Sequence, residues 1–303
     1  MGNKIASPSL TKEILNRYQL NLKKGLGQNF LVDSNIINII SQTAQIKGDE
    51  LLIEIGPGIG ALTQSLLGEL DQSGHLLAIE KDSTMFAALQ DIFNDETKLT
   101  LLNEDALKID WPELVADYQK SDTSVKIIAN LPYYITTPII MSILESELKI
   151  DKLVFMVQKE VGERICAGPG TKKFGSLSVA VQYYLEPEII HHVPAEVFIP
   201  QPDVDSVIVS LSPYSVNKYQ NQVQDKNLFF KIVKSIFQQR RKTLRNSLSK
   251  SAVIALEREL VTAALKAENI DLKKRGEKLT ITEMISLSNR ILQLQDRKEE
   301  KDD

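Results

Sequence analysis

The residues of this chain best suited to chemistry are Asn130-Leu131-Pro132-Tyr133, which follow the apolar run Val125-Lys126-Ile127-Ile128-Ala129 and precede Thr136-Thr137-Pro138. A β-branched run bounded by Asn and Pro predicts a buried parallel strand. In open α/β sheets, ligands bind beyond the carboxyl ends of such strands. The residue types suit a planar amine. The Asn130 side-chain oxygen and the Leu131 carbonyl both accept hydrogen bonds, so together they can grip one exocyclic NH2 and hold its lone pair toward an electrophile. Attack then depends on positioning more than on a strong base. Pro132 has no N–H and fixes the local φ, which stiffens the loop. Tyr133 offers a flat face to a base. The plain alternative is a strand-ending turn with Asn as a local cap.

Three further strand ends carry usable groups. Gly56-Pro57-Gly58-Ile59-Gly60 follows Leu51-Leu52-Ile53-Glu54-Ile55 and leads into a helix from about Ala61. Strand, glycine loop and helix in this order let a backbone approach a cofactor closely. Read as G-x-G-x-x-A, the loop is a dinucleotide fingerprint that binds pyrophosphate at a helix N-terminus. Read as Glu54-x-Gly56-x-Gly58-x-Gly60, it resembles the first motif of S-adenosylmethionine methyltransferases. Glu80 ends the second strand, where an acid grips ribose hydroxyls in either case, and Asp105 follows the third, where an acid can accept from an adenine amine. Gly25-Leu26-Gly27-Gln28-Asn29-Phe30-Leu31 is either a helix lead-in or a gate over the cofactor pocket. Four consecutive strand ends bearing such groups are hard to explain as packing.

The elements that must position these groups alternate. Strands are predicted over 51–55, 75–80, 99–102, 125–129, 152–157, 188–193 and 206–211. Helical spacing occupies 135–144, 159–167 and 176–184, and Asp33 reads as the N-cap of another helix. This pattern predicts an α/β domain with a seven-stranded, mostly parallel, doubly wound sheet over 1–211. Residues 212–224 read as a polar linker. Strand signals then cease, and 225–303 read as a small all-helical C-terminal domain ending in a charged, disordered tail.

The chain has 303 residues, 43% apolar and 25% charged, with a formal net charge of −4. No apolar run is long enough for a membrane span, and no secretory signal pattern is seen. Cys166 is the only cysteine, so an intramolecular disulfide is excluded, Cys/His zinc spacing is absent and no metal site is expected. A reducing cytoplasm suits this composition. The acidic average hides one basic stripe: between Lys226 and Leu256 there are eight Lys or Arg and no Asp or Glu. Charge runs are common on solvated helices. Unpaired like charges repel, however, so Arg240, Arg241, Lys242 and Arg245 point to an anionic partner, with Lys23 and Lys24 extending the surface.

Together these residues resemble a known family, the small-subunit rRNA adenine dimethyltransferases of the kasugamycin-resistance (KsgA) type. The likeness runs through Leu26-Gly27-Gln28-Asn29-Phe30-Leu31, Glu54-Ile55-Gly56-Pro57-Gly58 and Asn130-Leu131-Pro132-Tyr133. It continues in Val157-Gln158-Lys159-Glu160-Val161, in Phe198-Ile199-Pro200-Gln201-Pro202-Asp203-Val204-Asp205-Ser206, and in Gln239-Arg240-Arg241-Lys242-Thr243-Leu244-Arg245-Asn246-Ser247-Leu248. The resemblance implies a Rossmann-like methyltransferase domain with S-adenosylmethionine contacts at Asn29, Leu31, Gly56, Glu80, Asp105 and Asn130, and with Gln28 and Gly58 in the same loops. It implies a monomer that dimethylates two adjacent adenines in a hairpin loop near the 3′ end of 16S rRNA, on an immature small ribosomal subunit. Tyr134 departs from the family pattern, which often has Asn there, and altered packing is expected.

An adenine amine inside a stack cannot reach a methyl donor, so the base must be extruded or unpaired. Tyr133 supplies one stacking face. Phe198 is either the other face or a core anchor. A large-subunit antibiotic-resistance methyltransferase, a non-catalytic assembly factor on the same fold and a dehydrogenase are the competing readings. The first is expected to lack the 198–206 and 239–248 stretches in this form.

Overall fold

In a computed structural model, residues 4–20, 28–118, 123–216, 218–254 and 256–302 are described, with backbone alone for 298–302. The chain divides into two compact units, Met1–Gly162 with Pro187–Pro213, and Glu163–Glu186 with Tyr214–Asp303.

The first unit is built on β1 (Phe30–Leu31), β2 (Leu51–Ile55), β3 (His75–Ile79), β4 (Leu99–Leu102), β5 (Val125–Asn130), β6 (Lys152–Gln158), β7 (Leu185–Val193), β8 (Phe198–Ile199) and β9 (Ser206–Pro213). Seven of these form one sheet in the order β4-β3-β2-β5-β6-β9-β7. Strands β4 through β6 in that order pair in parallel, and β9 runs antiparallel to β6 from Leu153↔Leu211 to Gln158↔Ser206. All five residues of β2 are buried, as a parallel strand covered on both faces requires. The chain builds outward from β2 through β3 to β4 and then returns to place β5 on the other side of β2. That reversal creates a crevice beyond the carboxyl ends of β2 and β5. The remaining two strands, β1 and β8, form a separate antiparallel ribbon with Phe30↔Ile199 and Leu31↔Phe198 as partners.

Helices cover this sheet: α1 (Pro8–Arg17), α2 (Ser34–Ala44), α3 (Ala61–Glu69), α4 (Ser83–Ile92), α5 (Trp111–Ala116), α6 (Thr136–Glu145) and α7 (Lys159–Ile165). Asp33 caps α2 by accepting from the Asn35 and Ile36 N–H groups, and Asp82 caps α4 by accepting from Thr84 at 2.9 Å.

The second unit contains α8 (Ser176–Tyr184), α9 (Lys226–Gln238), α10 (Leu244–Ser249), α11 (Arg258–Ala267) and α12 (Ile281–Asp302). The sequence boundary at 211 therefore differs from this division. Residues 163–186 group with the later helices because Phe174, Val179 and Tyr183 share a buried cluster with Phe229, Ile232 and Val233. The acidic tail also differs from expectation, since α12 continues through Asp302.

Candidate active site

A cavity lies beyond β2, β3, β4 and β5, walled by the glycine loop, by 80–82, by 104–106, by 130–135 and by 28–31. Gly56, Gly58 and Gly60 have φ of 69°, 61° and 87°, values that residues with a Cβ rarely adopt. A Cβ on Gly58 would lie 3.0 Å from the Phe30 ring, and one on Gly60 would overlap Phe93. The loop is glycine because its backbone turns through left-handed conformations under aromatic neighbours.

Each acid of the wall is held differently. The Glu80 carboxylate accepts from Gly58 N–H at 3.2 Å and Asp82 N–H at 2.8 Å. Burial pushes its pKa up, and these hydrogen bonds oppose the shift. The Asn103 side chain donates to the Glu80 carbonyl at 2.8 Å, which pins the end of β3 to the segment after β4. Asp105 pairs with Lys81 at 2.8 Å and accepts from Leu107 N–H at 3.1 Å. The Lys81 hydrogen bond holds the Asp105 carboxyl below its ordinary range. Glu54 is 1% exposed. It accepts from the Thr63 hydroxyl at 2.7 Å, and burial pushes it up to about 8. Gln28 donates to Asp82 at 3.4 Å, which ties the 28–31 segment to the wall.

Asn130 ends β5 with its amide oriented: Nδ2 donates to the Asn29 carbonyl at 3.2 Å, which turns Oδ1 away from that partner. Leu131 N–H donates to the Met156 carbonyl at 3.1 Å. The Pro132 carbonyl accepts from Ile135 N–H at 3.2 Å and from the Thr136 hydroxyl at 3.0 Å. Tyr133 is half-buried, and its hydroxyl shares a hydrogen bond of 2.7 Å with Ser206. Its pKa is raised by burial.

The structure thus gathers Gln28, Asn29, Leu31, Gly56, Gly58, Glu80, Asp105, Asn130, Leu131, Pro132 and Tyr133 around one cavity. Phe198 is not in the wall. It is 2% exposed and belongs to the core, because pairing of β8 with β1 draws it inside. In this structure it is the core anchor and not a stacking face. Tyr134, for which packing different from that of the family's Asn is expected, is 48% exposed in the wall.

The basic stripe also divides. Arg240 donates to the Lys172 and Phe174 carbonyls at 2.8 Å and pairs with Glu277 at 3.5 Å. This corrects the reading of Arg240 as a cation lacking an acidic partner. Arg241 and Lys242 are exposed and Arg245 is half-buried. Lys23 and Lys24 lie outside the described residues. The sequence reading missed Lys81, Thr63 and Asn103. The signal for Lys81 was its place directly after Glu80, whereas Thr63 and Asn103 carried none.

A profile of the ribosomal RNA adenine dimethylase family matches residues 19–293. The ribosomal RNA small subunit methyltransferase A of Halothermothrix orenii is 50% identical over 289 residues, covering 95% of this chain and 94% of that protein. Its counterpart in Clostridioides difficile is 45% identical over 287 residues, with 95% and 96% covered. Among solved structures, a dimethyladenosine transferase from Plasmodium falciparum superposes with a TM-score of 0.70 at 23% identity, covering 85% of this chain and 95% of that one. The 23S rRNA methyltransferase ErmE gives 0.62 at 22% identity, with 86% and 99% covered. Those two likenesses concern the fold. The sequence match is far closer, and by it the chain belongs to the ribosomal RNA adenine dimethylase family.

Proposed function

We propose that the protein is an S-adenosylmethionine-dependent rRNA adenine dimethyltransferase. In this reading it acts as a cytoplasmic monomer on two adjacent adenosines of a hairpin loop near the 3′ end of 16S rRNA, in an immature small ribosomal subunit. The observation that carries the reading is the Asn130 amide, whose nitrogen is engaged by Asn29 and whose oxygen is left to accept from a substrate amine.

The wall chemistry suits this cofactor over a dinucleotide. Its charged residues are Glu54, Glu80, Asp82, Glu104 and Asp105, with Lys81 the single cation among the lining residues. Burial leaves Glu54 neutral at pH 7, and the other acids of the wall still outnumber its one ammonium. That field repels a pyrophosphate and favours a cation. In this reading Glu80 holds ribose hydroxyls and Asp105 an adenine amine, while the glycine loop lets the backbone come close. When bound, the cofactor supplies an electrophilic sulfonium methyl group.

The remaining work falls to this chain. Asn130 Oδ1 and the Leu131 carbonyl accept the two hydrogens of the target amine, so its lone pair faces the cofactor subsite. Pro132 fixes the spacing between those acceptors and Tyr133, whose ring supports the extruded base. None of the three His lines the cavity, consistent with catalysis by positioning. In the helical unit, exposed Arg241 and Lys242 are the proposed phosphate contacts.

Incubation with labelled S-adenosylmethionine and undermethylated small subunits, followed by mass mapping, is expected to locate two neighbouring dimethyladenines in 16S rRNA. Asn130→Ala is expected to abolish transfer while cofactor binding remains measurable. Modification of 23S rRNA alone, or wild-type turnover by Asn130→Ala, overturns the reading.

A further inference from the structure

Tyr134 is 48% exposed, although it sits in the wall of a largely apolar cavity beside half-buried Tyr133. Its backbone is held on both sides: Pro132 precedes it by two positions, and the Pro132 carbonyl accepts from Ile135 N–H and the Thr136 hydroxyl. The ring is therefore presented by a rigid turn. Lys81 stands nearby with its side chain 52% exposed. Its pKa is raised mainly by the Asp105 hydrogen bond, with the Tyr134 phenol also contributing. Lys81 is committed to Asp105, so what the cavity mouth offers a neighbouring nucleotide is the exposed aromatic face, on which a base can stack. Tyr133 is committed to the cavity by its bond to Ser206, so Tyr134 is left for a second base.

We propose that Tyr134 is a specificity residue that stacks on the nucleotide flanking the target adenine. The inference rests on the proposed rRNA substrate. It separates the wall into an inner part that holds the reacting base and an outer part that reads its neighbour.

The test is steady-state methylation of undermethylated small subunits by wild type, Tyr134→Ala and Tyr134→Phe. Loss of one stacking platform is expected to raise KM for the subunit about 10- to 100-fold. The KM for S-adenosylmethionine is expected to stay unchanged and kcat to stay within about twofold. Tyr134→Phe, which keeps the ring, should behave as wild type. A Tyr134→Ala enzyme with normal subunit KM overturns the assignment, as does a Tyr134→Phe enzyme as impaired as Tyr134→Ala. If the wild type instead methylates another RNA, the proposed substrate fails, and the same KM comparison on that RNA decides the role of Tyr134.

Discussion

Replacing Glu54 with Gln isolates the energetic consequence of placing a carboxyl group beneath the glycine loop. Burial moves Glu54 from 4.5 to about 8 in the folded chain, opposed by the Thr63 hydrogen bond and reinforced by nearby Glu80. Between those values the folded protein keeps a proton that the unfolded chain has released. Stability therefore falls as pH rises through this window; the full contribution is present below 4.5 and is lost by about 8. At pH 7 the loss spans two and a half units and amounts to about 3 kcal/mol. Gln has the same shape, is neutral at every pH, and its carbonyl oxygen can still accept from Thr63. Glu54→Gln is thus expected to be more stable than the native protein by about 3 kcal/mol at pH 7, with the difference vanishing near pH 4.5. Trp111, the only Trp and 1% exposed, reports on the unit that holds Glu54. Urea unfolding followed by its fluorescence at pH 5, 6, 7 and 8 measures the difference. A stability gap that does not change with pH would falsify the reasoning.

Other perturbations separate roles that the sequence merges. Phe198→Ala should destabilise by about 3–5 kcal/mol, as for a buried ring, whereas Phe198→Leu should fold and keep turnover within about twofold. A folded Leu variant with lost turnover would return Phe198 to base stacking. Arg240→Ala should cost about 2 kcal/mol of stability through its lost carbonyl bonds, seen as a lower urea midpoint. Arg241→Gln with Lys242→Gln should leave that midpoint alone and reduce the salt slope of rRNA binding by about 1.4 to 1.8; an unchanged slope excludes these residues as phosphate contacts. Gly60→Ala should lower stability by about 1–3 kcal/mol from its φ alone, with the overlap against Phe93 adding to the loss; a native-like midpoint would refute the backbone-strain argument.

The strands and the groups at their ends were legible because both are local. Val125–Ala129 announces itself by composition, and Glu80, Asp105 and Asn130 follow directly from where their strands stop. What escaped depends on residues far apart in the chain. Phe198 is buried by pairing with Leu31, and neither segment signals the other. Arg240 reaches Glu277 and two carbonyls near 173, so counting acids within its own stretch was uninformative. The exposure of Tyr134 was not legible either, because residue type alone does not say that the turn after Pro132 leaves its ring at the surface. Residues 163–186 look like part of an alternating α/β pattern, and only their shared core with α9 assigns them to the helical unit.

A primary amide has two unlike ends, and the bond between Asn130 and Asn29 decides which end the substrate meets. Rotating that amide by half a turn would place a donor against a donor, turning a welcoming corner into a repelling one without moving the backbone. Seating of the 28–31 segment is therefore a precondition for productive encounter, even for a fully assembled sheet. Variants that loosen this segment should bind substrate in the wrong sense while every reacting residue remains in place.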